Sequence, residues 1–108
     1  MTRKEMKGAS DQKLIERYEK VARVRGLPMN AGDSRSANRA FDEETSIREE
    51  LRKRDPAAIR RLLSLLTSDD PWVRCDSAGP ALFLAPQKAE PVLEKLVQSE
   101  RGVLKTIV

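Results

Sequence analysis

The sequence predicts an all-α fold of five or six short antiparallel helices, and three observations carry that prediction. Apolar residues recur at three- and four-residue steps through most of the chain. Two Asp-Pro pairs, Asp55-Pro56 and Asp70-Pro71, stand where apolar helical patterns begin; Asp caps free backbone N–H groups, and Pro at the first helical position loses nothing by lacking its own. The pattern of one helix and its following turn also recurs after about thirty residues, placing Pro56 on Pro86, Leu62 on Val92, Leu63 on Leu93, Leu66 on Leu96 and Val73 on Val103. The 108 residues suit one domain that buries roughly 65% of its unfolded surface. With Tyr18, Phe41, Trp72 and Phe83 as the only aromatics, its core is expected to be aliphatic and thin.

Residues 1–9 show no periodicity and carry Arg3, Lys4 and Lys7, which predicts a flexible basic N-terminus followed by a single helical domain over 10–108. Helix one is expected over 11–26, with Ser10 as its cap, Leu14, Ile15, Tyr18, Val21 and Ala22 apolar, and Glu16/Lys20 and Glu19/Arg23 paired one turn apart. Gly26-Leu27-Pro28 should end it, opening a loop that runs to Ser34. Helix two starts at Ser34 or Ser36, turns Ala37, Ala40, Phe41, Ile47 and Leu51 inward, and closes at Asp55-Pro56. The same pair opens helix three, with the stripe Ile59, Leu62, Leu63 and Leu66.

Asp70-Pro71 opens helix four, whose inward residues would be Val73, Ala78, Ala81, Leu82 and Cys75. Pro80 removes the donor to the Asp76 carbonyl, so Gly79-Pro80 should kink this helix without breaking it. Helix five runs from Pro86 or Lys88 to Gln98 with Ala89, Val92, Leu93, Leu96 and Val97 apolar, and a short last helix is expected near Gly102. A helix-turn-helix unit of this period is the mark of an α-α superhelix, in which stacking completes a core that no pair can bury alone.

The run Asp70-Pro71-Trp72-Val73-Arg74, with Ala78 after it, resembles the HEAT-repeat pattern. Residues 11–105 are more closely similar to a bacterial HEAT-like family catalogued as domain of unknown function 2019. The features shared are Asn38, Ile47, Glu50-Leu51-Arg52 with Arg54, Leu62-Leu63 with Leu65-Leu66, the Asp70 to Arg74 turn, Ala78, Pro86, Ala89 and Leu93-Glu94. Gly79-Pro80 departs from that pattern, where a second Ala would be expected. The resemblance implies a HEAT-like fold and no particular activity, since the family has none established.

Mixed charge at 35% of residues predicts large solvated faces, and the net +4 is local. Residues 1–30 set Arg3, Lys4, Lys7, Lys13, Arg17, Lys20, Arg23 and Arg25 against Glu5, Asp11, Glu16 and Glu19, whereas charges balance in the rest of the chain. Glu16 and Glu19 dilute the stripe, which argues against a membrane surface. A lone cysteine, Cys75, precludes an intrachain disulfide or a thiolate zinc cluster, and no apolar run approaches the roughly 20 residues of a spanning helix. A cytoplasmic location is therefore expected.

No histidine is present, which removes Ser-His and Cys-His nucleophile pairs and His-ligated metals, and the five glycines are scattered without a phosphate loop. Neither a cofactor nor catalysis is expected. Cys75 is read as a small core residue, and Asp69 with Trp72 hints at an enzyme only by analogy to HEAT-like DNA glycosylases, which work without His. Asp70 is read as a cap, and Arg74 as packing along the turn and donating to carbonyls or acidic groups of neighbouring repeats. Trp72 either anchors a partner at the surface or packs between helices, burial being the commoner fate of Trp.

The strongest candidate binding patch is the corner between helices two and three, where Arg48, Arg52, Lys53, Arg54, Arg60 and Arg61 gather. The expected function is therefore a non-catalytic interaction module holding a protein partner, of adaptor or immunity type, through Arg48, Arg52, Arg54, Arg60, Arg61 and Trp72. The alternative is nucleic-acid-backbone binding through the same arginines, which would supply several phosphate contacts but lack interleaved aromatics.

Overall fold

The structure is a computed structural model that describes residues 1–30 and 32–99, with side chains described at 1–26 and 32–98. It consists of α1 (Arg3–Gly8), α2 (Asp11–Asn30), α3 (Ser34–Arg54), α4 (Pro56–Arg60), a 3-10 helix (Arg61–Thr67), α5 (Pro71–Leu84) and α6 (Pro86–Ser99). No strand occurs among the described residues, so the all-α class holds. Packing divides the chain into two compact units, Met1–Arg61 and Leu62–Val108. The expected last helix near Gly102 and the echo of the turn at 99–103 lie outside the described residues.

In the first unit α2 and α3 form an antiparallel hairpin, with Asp11 meeting Arg54 at one end and Arg17 meeting Glu43 further along. Leu14, Ile15, Tyr18, Val21 and Ala22 of α2 and Ala37, Ile47 and Leu51 of α3 are buried, as the apolar spacing predicts. Lys13 N–H donates to Ser10 Oγ at 3.1 Å, and Ser36 N–H to Asp33 Oδ1 at 3.1 Å, so Ser10 caps α2 and Asp33 caps α3. Gly32, just before that cap, takes φ 75°, a left-handed backbone that glycine enters without a Cβ clash.

Three expectations for this unit are corrected. Residues 1–9 are not structureless: Thr2 and Glu5 form a reciprocal capping box (3.2 and 3.1 Å), and buried Met6 fastens α1 to α3. The helix of α2 does not stop at Gly26 but continues to Asn30. Pro28 lies in the last turn of α2 and forgoes one backbone bond, the one to the Val24 carbonyl, without ending the helix. Phe41 does not face inward; it is 44% exposed.

Asp55 Oδ1 accepts from Ala58 N–H at 2.8 Å, and Pro56 is the first residue of α4, in agreement with the sequence pattern. Beyond Arg60 the expected continuous α-helix gives way to a tighter winding. The chain there is a 3-10 helix, in which residues three apart eclipse. The spacing of Leu62-Leu63-Ser64-Leu65-Leu66 suits it, aligning Leu62 with Leu65 and Leu63 with Leu66; all four leucines are buried except Leu63, which is partly so.

In the second unit Asp70 Oδ1 accepts from the N–H groups of Trp72 (2.9 Å) and Val73 (3.2 Å), starting α5 at Pro71. The helix runs unbroken through Gly79-Pro80 to Leu84. Ala85 is the single residue before α6, and its carbonyl accepts from Lys88 and Ala89. Leu66, Ala78, Ala81 and Ala89 form the core, with Leu63, Val92 and Leu93 against it. Leu82, expected inside, is 38% exposed, because these small alanines close the α5/α6 seam without it; Val97 of α6, also expected inside, is 40% exposed.

Candidate functional site

The arginine-rich corner is the place where α3 ends and α4 begins, and the structure divides its cations into two groups. Arg48 points back into the hairpin: Nη1 donates to the Tyr18 hydroxyl at 3.1 Å and Nη2 to Thr45 Oγ1 at 3.1 Å. Arg54 gathers three elements, donating to the Met6 carbonyl of α1 at 2.7 Å, to Asp11 of α2 at 2.9 Å and to Glu50 of its own helix at 3.3 Å. The Asp11 hydrogen bond, with Glu50, raises the Arg54 pKa further above its ordinary value. The planar guanidinium fork can serve several acceptors at once, which an ammonium in that place cannot match.

Arg52, Lys53 and Arg60 form the second group: all are exposed, and none has an ion pair among the described residues. Arg61 is also exposed and lies 3.6 Å from Asp11. A shallow groove of about 120 Å³ adjoins this surface, lined by Arg3, Lys7 and Lys53 together with Glu49 and Glu50. The corner therefore presents cations interleaved with carboxylates. Trp72, grouped with the arginines from sequence, is 7% exposed, so burial is the alternative that holds.

Further along the hairpin lies a second cluster that sequence reading missed. Glu43 receives both the Arg17 guanidinium, through a short Nε contact and an Nη2 bond of 3.0 Å, and the Met1 amino group at 3.3 Å. Burial pushes the Glu43 carboxyl up, but the Arg17 hydrogen bonds and charge, helped by Met1, outweigh it and hold the pKa below the usual carboxylate range. Arg17 rises in turn. The neighbouring Glu44 is 1% exposed. Periodicity offers no signal for these pairs, since they are set by which helix lies alongside.

Phe41 is flanked by two guanidinium groups, with Arg25 Cζ 5.3 Å and Arg48 Cζ 5.7 Å from its ring centroid, within cation–π range. In the second unit Arg74 Nη1 donates to the Ser68 carbonyl of its own turn at 3.1 Å, and Cys75 is buried. Among the described residues no three His, Cys, Asp or Glu side chains converge as metal ligands. No helix there is long and apolar enough to cross a membrane.

No curated protein matches the sequence. The crystal structure of protein RPA1889 from Rhodopseudomonas palustris CGA009 is similar at a TM-score of 0.86 and 28% identity, over 94% of this chain and 84% of that one. The sequence pattern described as "Domain of unknown function (DUF2019)" matches residues 12–104. With most of its helical length inside that match, the chain belongs to the DUF2019 family.

Proposed function

We propose that this chain is a non-catalytic helical interaction module of the cytoplasm, of adaptor or immunity type, which holds a partner protein at the corner formed by the end of α3 and α4. The observation that carries this reading is the division among the cations. Arg52, Lys53, Arg60 and Arg61 face solvent beside Glu49, while Arg48 and Arg54 direct their donors inside the hairpin. A mixed field of this kind complements a protein surface of alternating charge and fixes register by penalising wrong pairings. A phosphate backbone rewards contiguous cations instead, and three of the five arginines expected to serve it are already engaged, Arg48 and Arg54 inside the hairpin and Arg61 with Asp11.

The test is in-cell photo-crosslinking in the native host, with the crosslinker placed at position 52 or 60. One dominant protein adduct is expected, lost when Arg61 and Lys53 are reversed to Glu. Recovery of nucleic acid, or of no specific protein, overturns the reading.

A further inference from the structure

Helix α1, standing where the sequence predicts a flexible terminus, brings charge of its own to the corner. Arg3, Met6 and Lys7 are three or four residues apart and share one face of α1, as Ser46, Glu49, Glu50 and Lys53 share one face of α3. Both faces line the groove of about 120 Å³ between the two helices, in which Met6 is buried. An open hollow of about 340 Å³, lined by Glu49, Arg52 and Lys53, adjoins that groove through the two residues they share. Groove and hollow form one strip that runs from α1 across the end of α3.

Charge along this strip is unevenly committed. Glu50 is bonded to Arg54, whereas Arg3, Lys7, Arg52 and Lys53 are exposed and enter no ion pair among the described residues. Glu49, also exposed and outside every ion pair there, stands where groove and hollow meet. The strip thus offers an occupant mostly positive charge with one negative point inside it. Exposed ion pairs are individually weak, so an occupant gains affinity by engaging several at once.

We propose that this strip docks an acidic polypeptide segment carrying one basic side chain. Its carboxylates face Arg3, Lys7, Arg52 and Lys53, and its lysine or arginine faces Glu49. Charge complementarity selects this occupant over a phosphate backbone, which would bring like charge against Glu49 in the middle of the strip. The inference rests on the reading of the corner as a protein-binding surface and adds α1 to it.

The full chain is titrated at low salt into a fluorescein-labelled peptide of glutamates with one central lysine, and fluorescence anisotropy is read. Saturable binding is expected, weakened about fivefold by Arg3→Glu and by Lys53→Glu. Both side chains are exposed and have no ion pair to lose, so the circular dichroism melts should be unchanged. Lys88→Glu, an equal change of net charge on α6, should bind the peptide as the unaltered chain does. Glu49→Lys should weaken binding of this peptide and strengthen that of one whose lysine is replaced by glutamate. No saturable binding, or binding indifferent to Arg3→Glu, overturns the proposal. An oligothymidylate that binds more tightly than the peptide, and loses affinity in Arg3→Glu, overturns it in favour of phosphate. The titration and the crosslinking fail separately. A protein adduct at position 52 or 60, beside peptide binding indifferent to Arg3→Glu, keeps the corner reading and removes α1 from it; the expected titration without an adduct overturns the corner reading alone.

Discussion

Glu43 shows how one carboxylate can hold a helical hairpin together at its middle. Its folded pKa is depressed, so its contribution is fully present above the unfolded value of about 4.3 and is lost as pH falls through the lower folded value. The Arg17 side chain is 33% exposed, which limits the pair to about 1 kcal/mol. Glu43→Gln should therefore lower stability by that amount at pH 7 and by much less at pH 3. Urea denaturation of both proteins at the two pH values checks this; an equal loss at pH 3 would assign the effect to packing. Tyr18 is served across the hairpin in the same way: it is fully buried, and Arg48 comes back along α3 to donate to its hydroxyl.

At the scale of the element, α1 depends on two devices, its capping box and the bond from Arg54 to the Met6 carbonyl. A six-residue helix is too short to be stable alone. Arg54→Ala removes charged hydrogen bonds to α1, α2 and α3 together and should cost about 2 kcal/mol. Hydrogen exchange should show the α1 amides losing protection while those of Leu14 and Ile47 stay protected. Much at this scale is legible in the sequence because it is local: the Asp55-Pro56 and Asp70-Pro71 openings, the Ser10 cap and the inward faces of α2 and α3 all depend on neighbours within a turn. The Thr2 to Glu5 spacing carries the signal for α1, but a single apolar residue, Met6, leaves no period to read. Spacing places Phe41 in the core because it defines an angular sector on a helix and not how much of that sector the facing helix covers. It places Arg54 on the surface for a related reason, since the partners on α1 and α2 lie forty-odd residues away in sequence.

For the whole molecule, the helical class is visible in composition and period, whereas the division into two compact units is not. The charge distribution also has a consequence at this scale. If duplex DNA bound at the corner, the four outward cations would give a slope of log affinity against log salt no steeper than roughly −4. Releasing Arg48 and Arg54 as well would steepen it to about −5. Filter binding across a salt series is expected to show the shallower slope or no retention; the steeper one would mean that the internal bonds of the hairpin open on binding. The two capping aspartates carry a chemical liability as well. A peptide bond between Asp and Pro is the most acid-labile in a protein, cleaved when the aspartyl carboxyl attacks its own carbonyl. In the folded chain the Asp55 and Asp70 carboxylates are occupied by backbone amides of α4 and α5. The sites of acid scission thus coincide with two helix starts, and fragmentation there becomes a chemical clock for the melting of those first turns.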